Sequence, residues 1–178
     1  MGNSCSYRLA EVYEWDVRQF YPAEIPYIRP IERHEVPTAV EIITENFGNE
    51  WDQLAMEDIM AMWDDIHLRP IWYGAFMDGV LLGIIGLVPA WVDYNFFQGQ
   101  WLCVRKAYQK QGLGKLLMNH LIEEIRLRGK DFPGNMNAPK CLLISTADHN
   151  IDYYISNWGF KVIQHIEENR NLMTLIIG

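Results

Sequence analysis

The segment Trp101-Leu102-Cys103-Val104-Arg105-Lys106-Ala107-Tyr108-Gln109-Lys110-Gln111-Gly112-Leu113-Gly114-Lys115-Leu116-Leu117 carries the clearest chemistry in this chain. An apolar run that reads as a strand enters a basic loop, and the loop enters the most regular amphipathic pattern of the sequence. Gly112 and Gly114 stand where that pattern begins, although glycine inside a helix costs about 1 kcal/mol relative to alanine. Lys115 stands there too, against the positive end of the helix dipole. A phosphate group at the helix start accounts for all three. First-turn N–H groups need an acceptor, glycine lets main chain approach a diphosphate closely, and Lys110 and Lys115 supply countercharge. Spacing excludes two phosphate loops. A Walker loop needs glycine at 109 and a hydroxyl at 116, where Gln109 and Leu116 stand. A dinucleotide fingerprint needs a third glycine at 117, which is Leu117.

The remaining pattern, Gln109-x-x-Gly112-x-Gly114 between a strand and a helix, resembles the acetyl-CoA signature of the GNAT superfamily. Val104, five residues upstream of Gln109, matches as well. Asn157-Trp158-Gly159-Phe160-Lys161 is similar to the family's Gly-Phe element, where a short helix turns into the sixth strand. The resemblance extends over about residues 27–177. It implies acetyl-CoA as co-substrate, without a metal, and a fourth and fifth strand that splay apart to admit pantetheine. Carried onto this chain, Leu102, Cys103 and Val104 would bond the pantetheine. The backbone of Gln109, Lys110, Gln111, Gly112, Leu113, Gly114 and Lys115 would meet the diphosphate, and Tyr154 would lie beside the coenzyme. The implied reaction is N-acetylation of a primary amine on a basic small molecule or peptide, by direct attack.

Such an attack needs a neutral amine, a stabilised oxyanion and a thiolate that is protonated or tolerated. Two positions depart from the family pattern. The Glu base that many members carry eleven residues before the motif falls on Gln98, which takes no proton. The Tyr acid four residues before the Gly-Phe glycine falls on Ile155; its neighbour Tyr154 would point about 100° away around a helix. Candidates for moving protons are then Tyr154, or Asp93, Asp148 and His149 through water, with proximity supplying much of the rate. Three of them have a plainer reading: Tyr154 as a packing residue, His149 as a solvated helix-start residue, Asp148 as an N-cap. Cys103 reads as a buried thiol before a nucleophile. The departures leave an alternative open, a catalytically silent acyl-CoA-binding scaffold or interaction protein.

Holding these residues takes a set of elements that periodicity outlines. Strands are expected at 25–31, 71–77, 80–88, 96–104, 141–145, 161–166 and 172–177, and helices at 36–47, 51–66, 113–128 and 150–157. Asp78-Gly79 reads as a two-residue hairpin turn, and 168–171 as another turn. Leu113, Leu116, Leu117, Leu121, Ile122 and Ile125 share one helix face. The 141–145 run reads as a strand buried on both faces. Antiparallel hairpins followed by a strand–helix–strand crossover predict a seven-stranded mixed, mostly antiparallel α/β sheet with helices on both faces.

The bulk of the chain agrees with one such domain. It has 178 residues, 49% hydrophobic and 21% charged. Residues 27–178 form the expected domain and residues 1–26 an N-terminal extension. A net charge of −8 argues against nonspecific nucleic-acid binding. Residues 1–66 hold 14 acidic and 4 basic side chains, whereas 105–115 hold Arg105, Lys106, Lys110 and Lys115 and no acid. That asymmetry predicts an anion at the loop and a cationic acceptor near the acidic half. Cys5, Cys103 and Cys141 give neither a disulfide framework nor a zinc pattern, and point to a reducing, cytoplasmic setting. His34, His67, His120 and His165 lack ligand spacing, so no metal is expected. The apolar stretch 80–92 is too short to span a bilayer, and no membrane partner is expected. Met1-Gly2-Asn3-Ser4-Cys5-Ser6 satisfies the myristoylation pattern, and also reads as an ordinary polar leader. Seven tryptophans suggest a pocket or a homodimer surface beyond core filling.

Overall fold

Asp78 and Gly79 fix the first hairpin. Both adopt positive φ, 52° and 74°, as the favoured two-residue hairpin turn demands. They join β2 (Ile71–Met77) to β3 (Val80–Pro89). The computed structural model describes residues 25–66, 68–90, 93, 95–128, 139–167 and 169–178. The extension through residue 24, with Cys5 and the Gly2 pattern, lies outside the described residues, as do 129–138. On either side of the hairpin, β1 (Tyr27–Pro30) pairs with β2 and β4 (Phe96–Val104) with β3, all antiparallel. Helices α1 (Val36–Phe47) and α2 (Asp52–Met60) fill the connection from β1 to β2.

Helix α3 (Leu113–Arg128) then carries the chain to β5 (Lys140–Ala147), parallel to β4. Helix α4 (Ile151–Trp158) leads to β6 (Lys161–Glu167), and β7 (Arg170–Ile177) inserts between β5 and β6. The sheet order is β1-β2-β3-β4-β5-β7-β6, the seven-stranded mixed sheet that the sequence predicts. It divides two cores. On one face Leu117, Leu121 and Ile125 of α3 pack with Leu82, Leu142, Met173 and Phe160, and Tyr154 and Trp158 of α4 join them. On the other, Ile42, Ile43 and Ile59 of α1 and α2 pack on Trp72, Phe76 and Ile84.

Several expected bounds shift for local reasons. The helix expected at 51–66 is α-helical only to Met60, then tightens into a 3-10 turn over Ala61–Trp63 and becomes extended at Asp64. Continuing it would set Asp64 and Asp65 against the negative end of the helix dipole. The first strand spans Tyr27–Pro30 rather than 25–31, and Ile25 is 80% exposed. Strand β5 is not buried on both faces, since Ser145 is exposed and Leu143 half-buried. Leu116 leaves the buried face of α3 and Met118 takes its place. The final turn is shorter than 168–171: β7 already begins at Arg170, and Asn169 takes the left-handed conformation at φ 64°. Edge strand β6 slips register twice against β7, leaving Ile163 and Ile166 as extra residues.

Candidate active site

The central joint of the sheet is short. Strands β4 and β5 pair over Phe96–Gly99 and Cys141–Ile144, and there the register ends. Beyond it β4 follows β3 to Val104 and β5 follows β7 to Ala147, so the two diverge. A bulge sharpens the opening: Trp101 and Leu102 together oppose Ile85 of β3. Trp101 adopts φ 49°, an uncommon conformation for an aromatic residue. The turn swings its indole toward α1 and α2, where the ring meets Phe47 and Trp51 edge-on and Nε1 donates to Asp58 Oδ2 at 2.8 Å. Leu102, Cys103 and Val104 thus lie along one side of the gap, while Ser145 and Thr146 line the other. Cys103 is buried toward α1 and α2; desolvation pushes its thiol far up, and Sγ donates to the Trp101 carbonyl. A neutral thiol in that setting is no nucleophile.

From Val104 the chain turns through Lys106–Tyr108 and enters α3. Lys110 and Gly112 both take positive φ, 61° and 88°. The first bond into the helix runs from Leu116 N–H to the Gly112 carbonyl. The N–H groups of Leu113, Gly114 and Lys115 therefore precede the ladder and need acceptors from elsewhere. Gly112 is required by its backbone angle. Gly114 is not required by packing, because a Cβ there would meet nothing nearer than the Tyr153 hydroxyl at 3.9 Å. Its open face leaves room for a ligand, so the residues present fit a diphosphate. Lys110, Gln111 and Lys115 are exposed around it. Gln109 behaves differently: its side-chain amide turns away and donates to Asn46 Oδ1 and the Val104 carbonyl.

Helix α4 closes the other flank. It ends on Gly159, left-handed at φ 76°, whose N–H donates to the Ile155 carbonyl, and Phe160 then enters the core. This gives the Asn157-Trp158-Gly159-Phe160 run its local meaning. The helix presents Tyr154, not Ile155, to the sheet. Ile155 is 44% exposed, while Tyr154 packs on Phe160 and Trp158 beside Thr146. Burial pushes its phenol up to about 12, so the hydroxyl keeps its proton. His149 is exposed where β5 turns toward α4. Asp148 is not the N-cap of α4; Asn150 holds that position, and the Asp148 carboxylate accepts instead from Asn171 Nδ2 at the base of β7. Asp93 lies at the closed end of β4, where Oδ1 accepts the Asn95 N–H and its carbonyl accepts the Phe96 N–H. The structure therefore gathers Leu102, Cys103, Val104, the glycine loop and Tyr154 around one gap, and leaves Asp93 apart.

Residues 36–133, more than half of the chain, match the model of the acetyltransferase (GNAT) family. The chain belongs to that family. Solved acetyltransferases share its fold at low identity. An aminoglycoside 6'-N-acetyltransferase complexed with coenzyme A aligns at 15% identity and a TM-score of 0.68, over 85% of this chain and 97% of that one. The ribosomal-protein-S18-alanine N-acetyltransferase of Escherichia coli aligns at 18% and 0.65, over 86% and 94%. The PaiA N-acetyltransferase of Thermoplasma acidophilum, also with coenzyme A, aligns at 17% and 0.63, over 85% and 99%. No curated protein sequence matches it. Among the described residues of this GNAT chain, no helix is long and apolar enough to cross a membrane.

Sequence reasoning missed four residues of this region. Trp101 is invisible because its role depends on the bulge. Tyr153, near Gly114, hides beside Tyr154. Glu45 and Asn46 of α1 reach the end of β4 and the loop before α3 from about sixty positions earlier. The acidic half facing a basic loop was their one signal in the sequence.

Proposed function

We propose that this GNAT chain transfers an acetyl group from acetyl-CoA to a primary amine of a basic acceptor by direct attack. The observation that carries the reading is that β4 parts from β5 after Gly99, runs on to Val104 and leads directly into the glycine-opened start of α3. When bound, acetyl-CoA would supply an activated acyl thioester. The first-turn N–H groups of Leu113, Gly114 and Lys115, with Lys110 and Lys115, would hold its diphosphate. Main chain of Leu102, Cys103 and Val104, relieved of a β5 partner, would bond the pantetheine and polarise the carbonyl. Tyr154 would hold a neutral hydroxyl beside the gap and hydrogen-bond the thiolate that departs as the C–S bond breaks, while the proton shed by the attacking amine would leave through water to solvent.

The acceptor would enter from the α2 side. Trp101, Trp51 and Phe47 form an aromatic wall there, and the half-buried Asp58 carboxylate, fixed by the Trp101 indole, places negative charge beside it. Such a wall suits an ammonium group through charge and cation–π attraction. Incubation with acetyl-CoA and a panel of polyamines, aminoglycosides and peptide amines, read by free-thiol release, tests the reading; release no faster than hydrolysis with every amine would sink it. Asp58→Asn keeps an oxygen for Trp101 but loses the charge. It should raise KM for the best amine about tenfold and leave KM for acetyl-CoA unchanged.

Gln98 favours a second reading. It stands exposed on β4, at the position where the family resemblance implies a carboxylate base. A silent acyl-CoA-binding scaffold would bind coenzyme A in calorimetry and release no thiol with any amine, and Tyr154→Phe would change nothing in either assay.

A further inference from the structure

The coenzyme loop is held from α1 as well as by its own turns. The carbonyl of Val104, the last residue of β4, accepts from Asn46 Nδ2 at 3.1 Å and from Gln109 Nε2 at 3.2 Å. Gln109 Nε2 also donates to Asn46 Oδ1 at 2.8 Å. Beside this triangle, Glu45 Oε1 accepts the backbone N–H of Lys106 at 2.8 Å. One turn earlier on α1, Glu41 Oε2 accepts from Arg105 Nη2 at 3.0 Å. Glu41 and Glu45 lie one turn apart on the same face of the helix, and Asn46 follows about 100° further round. Together they fix the path from the end of the strand, through Arg105 and Lys106, to the first residue of the glycine motif.

By charge alone this arrangement is adverse. Two carboxylates stand next to a loop shaped for a diphosphate, and like charge weakens anion binding there. Arg105 offsets part of that charge, since it pairs with both Glu41, at 3.0 Å, and Glu45, at 3.9 Å; what Glu45 adds beyond that pairing is geometric. The bond from Lys106 N–H sets the pitch of the short turn ahead of the loop. The Asn46–Gln109–Val104 triangle sets where the loop leaves the strand. The direction of the first N–H groups of α3 follows from both.

We propose that Glu45 and Asn46 are positioning residues for the acetyl-CoA loop, acting through Lys106 and Gln109. The proposal rests on the acetyl-CoA reading above. Its test is calorimetric titration of the full chain with coenzyme A, together with KM and kcat for acetyl-CoA and thermal unfolding of the ligand-free protein. Asn46→Ala and Glu45→Ala should each raise the coenzyme Kd and KM about tenfold, with kcat within about twofold. Glu45→Gln is the discriminating variant. It keeps an oxygen for the Lys106 N–H and removes the adverse charge, so its Kd should equal or fall below that of the wild type. A wild-type Kd in both alanine variants overturns the proposal. So does Glu45→Gln binding as poorly as Glu45→Ala, which would mean that the charge, through Arg105, is what matters. Should Asn46→Ala not fold, the Glu45 pair decides alone. A wild-type chain that binds no coenzyme A sinks the acetyl-CoA reading itself, a different result from a binding wild type with indifferent variants.

Discussion

At the scale of single residues, Tyr154 and Gly114 separate ligand chemistry from packing. The expectation that Tyr154 points away rested on counting from Gly159. The helix instead turns Ile155 to solvent and Tyr154 to Thr146, because the aromatic ring has Phe160 and Trp158 to pack on. Tyr154→Phe keeps that packing and removes only the hydroxyl. It should lower kcat by about one to two powers of ten and leave KM for acetyl-CoA in place, measured by steady-state thiol release. The same variant has a signature in stability. The phenol titrates near 12 when folded and near 10 when unfolded, so its contribution is intact below pH 10 and is lost as pH rises toward 12. Denaturant unfolding between pH 9.5 and 11.5 should show the variant losing stability less steeply, by up to about 1.4 kcal/mol per pH unit. Tyr73, also pushed up to about 12 by burial and the nearby Glu124, keeps the remaining slope in place. Gly114→Val is the complementary change. The added Cβ would meet nothing nearer than the Tyr153 hydroxyl at 3.9 Å, so thermal stability should fall little, while coenzyme A affinity should fall by about a hundredfold or more in titration.

At the scale of elements, what the sequence reveals depends on how local the cause is. Helix α3 has its expected bounds because a residue's neighbours three and four along decide its face. The Asp78-Gly79 hairpin was legible because two adjacent residues decide it. The β4–β5 gap was read only by resemblance, since it depends on where two strands about forty residues apart stop pairing. Trp101 lay within a run that reads as plain strand. Its left-handed turn is settled by partners on α1 and α2 that no local pattern connects to it. Removing one such partner should be measurable: Trp101→Phe keeps a ring between Phe47 and Trp51 but gives up the bond to Asp58. It should cost about 1 kcal/mol, seen as a lower denaturant midpoint with unchanged slope.

At the scale of the whole molecule, the sheet is two halves joined by four residue pairs between β4 and β5. A ligand lying in the gap would take up main-chain groups of both halves and so act as a missing length of joint. Coenzyme A at a hundred times its Kd should add about 2.7 kcal/mol to global stability. Hydrogen exchange should slow along 100–104 and 145–147 beyond the slowing elsewhere. The outer boundary of the sheet carries a different consequence. Every residue of β6 is exposed, yet Ile163 and Ile166 break its ladder at two points. A strand arriving from a neighbouring molecule would find no uninterrupted row of donors and acceptors to copy. A border that would otherwise offer a template for fibrils at high concentration is thereby made a poor one.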